Sequence, residues 1–110
     1  MRGWMRWQYR RVKGWFQRAN RGWADHDTWS FDWYLAGVMA GGLRHLAKHA
    51  HGYPDGFPGG AEGWEAWLRD KAEWFEWYQD WQVNDDIAKL HKFYNEVLPD
   101  LVKWYEGLWD

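Results

Sequence analysis

Between residues 87 and 108 the large apolar side chains fall at Ile87, Leu90, Tyr94, Val97, Leu101, Trp104 and Leu108. Steps of three and four put them on one side of an α-helix, whereas a half-buried strand needs steps of two. The same spacing recurs along the chain and no segment alternates with period two, which predicts an all-α fold. The arc keeps its phase through Pro99, so the proline belongs on the solvent side, as a kink or as the start of a second short helix.

Four helices are expected, at roughly 2–20, 27–49, 61–82 and 85–108, packed as one compact bundle and a single domain over 1–110. In the first, Trp4, Met5, Val12, Trp15, Phe16 and Ala19 form an apolar arc, ended by the Asn20-Arg21-Gly22 stop signal. Arg2, Arg6, Arg10 and Lys13 form a basic stripe beside it. Trp7 falls between Arg10, Arg11 and Arg18, either stacked on a guanidinium or serving as a platform for an aromatic ligand.

The second helix has Asp25 or Asp27 available as a cap and an arc of Trp29, Trp33, Leu35, Ala36, Met39, Ala40, Leu43, Leu46 and Ala47. Gly37, Gly41 and Gly42 inside it each cost about 1 kcal/mol relative to alanine, which points to close approach of another backbone or of a ligand. "HGYPDGFPGG" (51–60) reads as a loop. The third helix sets Trp64, Trp67, Leu68, Trp74, Phe75, Tyr78 and Trp81 on one arc, against a mostly acidic face of Glu62, Glu65, Arg69, Glu73, Glu76 and Asp80. Asn84 can cap the fourth.

A chain of 110 residues can bury a core without staples, and with no cysteine it has no disulfide or thiolate metal site. No apolar run reaches the length of a membrane span and no signal peptide is evident, so a cytoplasmic protein is expected. Thirteen tryptophans are too many for so small a core, so several must be partly exposed, as at interfaces and stacking sites. The net charge of −2 hides an asymmetry: residues 1–22 carry seven Arg or Lys and no acid, and residues 62–110 carry twelve acids against five bases. Either the basic helix packs beside the acidic ones, or the N-terminal end offers an anion-binding face.

Polar residues on apolar arcs need partners. Asp32 and Lys71 occupy such positions; they can pair with each other, or Lys71 can snorkel outward, or Asp32 can join Asp25 and Asp27 in an acidic site. Asp25, His26, Asp27 and Asp32 carry ligand atoms suited to Mg²⁺ or Mn²⁺, although aspartate at a helix start is expected for capping alone. His45 and His49, four apart, can face one metal, with His51 near, but no H-E-x-x-H pattern is present. Glu62, Glu65, Glu73 and Glu76 share one helix, so they cannot converge as the paired acidic motifs of all-α nucleotide pyrophosphohydrolases do. No nucleophile with a poised base and no phosphate-binding glycine loop appears. The balance favours a non-enzymatic protein with no cofactor.

The central stretch, with Gly22, Trp23, Asp25, Asp27, Trp29 and Asp32 followed by Gly52-Tyr53-Pro54, resembles a family of small, mostly uncharacterised phage-encoded helical proteins. The likeness covers roughly residues 15–80. Ala24 departs from the family's serine, and Glu62-Gly63-Trp64 with Glu65 displaces its Glu-Trp pair. What the resemblance implies is a phage accessory protein in the cytoplasm of an infected host, with no settled chemistry.

Such proteins usually act by binding, and the leading expectation is sequestration of a small anionic ligand such as a nucleotide immune signal. Arg2, Arg6, Arg10 and Arg21 would hold phosphates and Trp7 and Trp23 would stack on bases, with several identical chains enclosing the ligand. The alternative is a module that binds a host or phage protein through exposed tryptophan, with Trp77 singled out because it lies on the acidic side of its helix. Interfacial membrane binding by the first helix ranks below these, because that helix is needed to complete the bundle. A metal-dependent phosphohydrolase on Asp25, Asp27 and Asp32 is a further alternative. Duplex DNA is not an expected partner, given the negative charge and the lack of a reading helix.

Overall fold

A computed structural model describes residues 3–80 and 86–109, with side chains from residue 11 onward. Helix α1 spans Gly3–Arg21, a 3₁₀ turn covers Asp25–Ser30, α2 spans Phe31–His49 and α3 Gly60–Gln79. The last segment is broken into α4 (Ile87–Lys92), a π turn (Phe93–Val97), α5 (Leu98–Lys103) and a 3₁₀ turn (Tyr105–Gly107). No strand occurs among the described residues. The all-α class with about four helices is as the spacing predicts. By its contacts the chain divides into two compact units, Met1–Tyr34 and Leu35–Asp110, with the division inside α2.

In the larger unit, small side chains on α2 face large ones on α3. Ala36, Ala40, Leu43 and Ala47 make the buried stripe of α2, and Trp64, Leu68, Ala72 and Phe75 that of α3, joined by Phe93, Val97 and Leu101. The Trp64 indole is buried in full, stacked on Trp67 at 4.9 Å, with Phe57 of the preceding loop edge-on at 4.9 Å. That loop closes only over glycine: a Cβ on Gly63 would stand 2.3 Å from the Pro58 carbonyl oxygen. Arg44 ties α2 to α3 through a bidentate pair with Glu76 (2.9 and 2.6 Å), so this glutamate is more than part of a solvated face.

Several expectations need correction. Trp29, Trp33 and Leu35 are not core residues; they are 83%, 43% and 43% exposed. The stripe of α2 begins at Ala36, and Trp29 lies in the 3₁₀ turn, whose three residues per turn break the phase of the helix that follows. Of the three glycines in α2, Gly37 is tightly approached, by the Gln79 amide, while Gly41 and Gly42 face open space. Asp86 caps α4 by accepting from the Lys89 N–H at 3.0 Å. The expected cap Asn84 lies outside the described residues, as does Trp81.

The fourth helix departs most from its predicted arc. Phe93 is buried and Tyr94 exposed, with Ile87 exposed as well. The cause is the π turn, in which the Leu98 N–H donates to the Phe93 carbonyl five residues back. Pro99 has no N–H to donate and its ring crowds the carbonyl of residue 95, so widening the turn before it relieves the clash without ending the helix. The wider turn sets Phe93, Val97 and Leu101 in line at steps of four.

Lys71 is buried, and its carboxylate partners are Asp100 at 3.0 Å and Asp70 at 3.5 Å. It is therefore satisfied without the expected Asp32, which lies exposed on α2. Asp100 also accepts from the Trp67 indole N–H at 2.7 Å. Burial pushes the Asp100 carboxyl up, but the Trp67 and Lys71 donors hold it below its ordinary range. Trp77, expected on the outer acidic side of α3, is instead half-buried against the core, edge-on to Trp74 at 5.8 Å with the Lys89 ammonium 4.9 Å above its ring.

Asp100 and Lys71 should respond unequally to removal. Asp100→Ala leaves the buried Lys71 ammonium with only the longer Asp70 contact and the Trp67 indole N–H without its acceptor, and should cost about 3 kcal/mol. Lys71→Met replaces a buried charge with an apolar chain of similar length and leaves Asp100 with water and Trp67, so it should cost under about 1 kcal/mol. Urea unfolding of the two variants checks that order.

Candidate ligand-binding cleft

Among its described residues, the unit Met1–Tyr34 is held chiefly by polar contacts. Gly22, at φ +86°, ends α1 in the left-handed conformation that closes a helix, and its N–H donates to the Arg18 carbonyl at 2.8 Å. The chain then turns back, so that Ala24 and Asp27 pack on the Gly14, Gln17 and Arg18 side of α1. Tyr34 secures the turn from the far end, its hydroxyl donating to the Gly22 carbonyl at 2.7 Å.

Asp27 is the centre of this arrangement. It is 8% exposed and takes a bidentate pair from Arg18, with Nε at 2.9 Å and Nη2 at 2.6 Å. One oxygen also accepts from the Ala24 N–H at 2.8 Å. Ala24 stands where a capping hydroxyl would sit, so Asp27, three residues on, supplies only the returning half of a capping box. The Arg18 hydrogen bonds hold the Asp27 carboxyl below its ordinary range against the opposing effect of burial.

Asp25 is exposed and equally engaged. It accepts from the Gln17 amide at 2.9 Å and from Arg21, and Lys13 lies 3.6 Å away. Gln17 and Arg21 hold its carboxyl low. Neither aspartate caps α2 in the expected way, and Asp25, Asp27 and Asp32 are not grouped as the alternative of a metal-dependent hydrolase requires. Among the described residues no three His, Cys, Asp or Glu side chains are grouped to hold a metal. His45 and His49 do lie side by side, ring centres 4.3 Å apart, both exposed.

Of the expected ligand residues, Arg21 and Trp23 are brought together but engage each other. The Arg21 guanidinium sits 3.7 Å over the Trp23 ring and donates to the Trp23 carbonyl at 2.9 Å. The side chains of Trp7, Arg2, Arg6 and Arg10 lie outside those described.

The concavity lies on neighbouring residues. A cleft of about 720 Å³ is lined by Arg11, Lys13 and Arg18, by the rings of Trp15, His26 and Trp29, and by Asp25. Three cations meet one carboxylate. Arg11 lies 4.9 Å over the Trp15 ring, and His26 leans on Trp29 at 5.4 Å. Trp29 is 83% exposed, so one indole face is open to a planar partner. The volume suits a small organic molecule, and the lining offers stacking surfaces beside cationic donors.

Sequence reasoning missed Trp15 and Trp29 as cleft residues because both fell on apolar arcs and were assigned to the core. The signals available were the excess of tryptophan and the polar run Asp25-His26-Asp27-Thr28, too short and too polar to continue an amphipathic helix.

Compared with protein-family models, curated proteins and solved structures, the chain matches none.

The Arg18–Asp27 pair should be visible in pH dependence. A carboxyl held low in the folded state stabilises fully above its unfolded value near pH 4, and that stabilisation is lost as pH falls through the depressed value. Asp27→Asn should cost about 2 kcal/mol at neutral pH and flatten the acid limb of the stability curve. Thermal denaturation from pH 7 to pH 2 measures both.

Proposed function

We propose that this protein is a non-catalytic binding protein that sequesters a small anionic, aromatic ligand of nucleotide type. The cleft on α1 and the following turn carries this reading: cationic side chains and open indole faces line one concavity, built by a single chain. Anionic groups would pair with Lys13 and Arg11, and a base would stack on Trp29, which typically contributes about 1–3 kcal/mol. The charge distribution supports it. Residues 1–34 carry seven bases against three acids, and residues 35–110 carry seven bases against thirteen acids. An anion is therefore drawn to the first unit and repelled by the second.

The resemblance around Gly22–Asp32 and Gly52–Pro54 supports the biological setting, that of a phage accessory protein acting against a host nucleotide signal in the bacterial cytoplasm. A second reading, capture of a host or phage protein, is favoured by Trp29, Phe31 and Trp33, which are 83%, 39% and 43% exposed within five residues. On that reading the contact surface is this stretch and not Trp77.

A thermal-shift screen against linear and cyclic nucleotides separates the two. A ligand at a hundredfold excess over Kd raises stability by about 2.7 kcal/mol. Lys13→Ala and Trp29→Ala should each abolish most of that shift while leaving the unliganded melting temperature within a few degrees. A flat screen at millimolar ligand moves the weight to a protein partner.

A further inference from the structure

Within the unit Met1–Tyr34, one side of α1 has no apolar partner among the described residues. The helix meets the rest of its own unit through Gly14, Gln17 and Arg18, and the opposite side carries Val12, Trp15 and Phe16, which are 57%, 56% and 73% exposed. An amphipathic helix ordinarily turns its apolar arc to a core. Here the Arg18–Asp27 pair turns the polar side to the Ala24–Asp27 turn, and the apolar arc lies on the side of the helix away from that turn.

We propose that α1 is a membrane-surface anchor that lies in the headgroup region of an anionic bilayer, with Val12, Trp15 and Phe16 entering the acyl boundary. Charge complementarity selects this occupant. Lys13 and Arg11 border the exposed arc on its two sides, and the first 22 residues carry seven bases and no acid. That is the composition of interfacial helices, in which bases meet lipid phosphates while tryptophan sits at the polar–apolar boundary.

A second copy of the chain fits less well. The acidic side of α3, the obvious electrostatic partner, shows no exposed large apolar residue against which Phe16 and Trp15 could be buried. No helix among the described residues is long and apolar enough to cross a membrane, so the contact would be with the surface. The anchor shares Arg11, Lys13 and Trp15 with the cleft lining and is distinguished from it by Val12 and Phe16, which the cleft does not use.

Flotation of the full chain with vesicles tests it. The protein should float with phosphatidylglycerol–phosphatidylcholine vesicles, remain behind with pure phosphatidylcholine, and be released by high salt. The double variant Val12→Glu/Phe16→Glu changes two exposed positions outside the cleft lining. It should keep its far-UV circular dichroism and lose about tenfold or more in vesicle partitioning. Equal flotation by that variant, or none by the wild type, overturns the proposal. So does lipid-free self-association that Val12→Glu/Phe16→Glu abolishes in the absence of flotation, which assigns the arc to a second copy.

Discussion

The bidentate contact between Arg18 and Asp27 decides how the first third of the chain is built. A carboxylate buried to 8% exposure must have a cationic partner, and Arg18 meets it with two hydrogen bonds. Because Arg18 lies on the polar side of α1, the pair draws that side onto the turn at Ala24–Asp27. Two consequences follow from one contact. Trp15, His26 and Trp29 gather around a cationic cleft, and Val12 and Phe16 are left facing solvent.

The remainder of the chain follows the opposite rule. In Leu35–Asp110 the helices are joined by apolar complementarity, alanine on α2 against tryptophan, leucine and phenylalanine on α3. Its charged contacts, Arg44–Glu76 and Lys71–Asp100, fix register around a core that already exists. The two units also differ in sign, the first basic and the second acidic. The exposed aromatic side chains Trp15, Phe16 and Trp29 belong to the basic unit, whose described contacts are ion pairs and hydrogen bonds, so they are open to a partner without disturbing the apolar core of Leu35–Asp110.

Helix identity was legible in the sequence because steps of three and four persist over long segments. The stop at Gly22, the loop at 51–60 and the solvent-side position of Pro99 were legible for the same kind of local reason. The failures lie where the backbone leaves the α-helical period. The 3₁₀ turn at Asp25–Ser30 takes Trp29 out of phase with α2, and the π turn before Pro99 exchanges Phe93 for Tyr94 in the core. Lys71 shows another limit: periodicity marked it as anomalous but could not tell which of many carboxylates would reach it. At the cleft, periodicity showed that α1 has an apolar side; only the tertiary contact at Asp27 determines that this side is turned outward.

The most direct measurement is a nucleotide titration followed by the indole N–H resonances of the labelled protein, assigned by single substitutions. If the cleft binds the ligand, the Trp15 and Trp29 signals shift together and saturate with one dissociation constant, while those of Trp64 and Trp67 stay fixed. If no nucleotide moves any indole signal at millimolar concentration, or if the shifts fall on Trp64 and Trp67 instead, the cleft on α1 is not a nucleotide site.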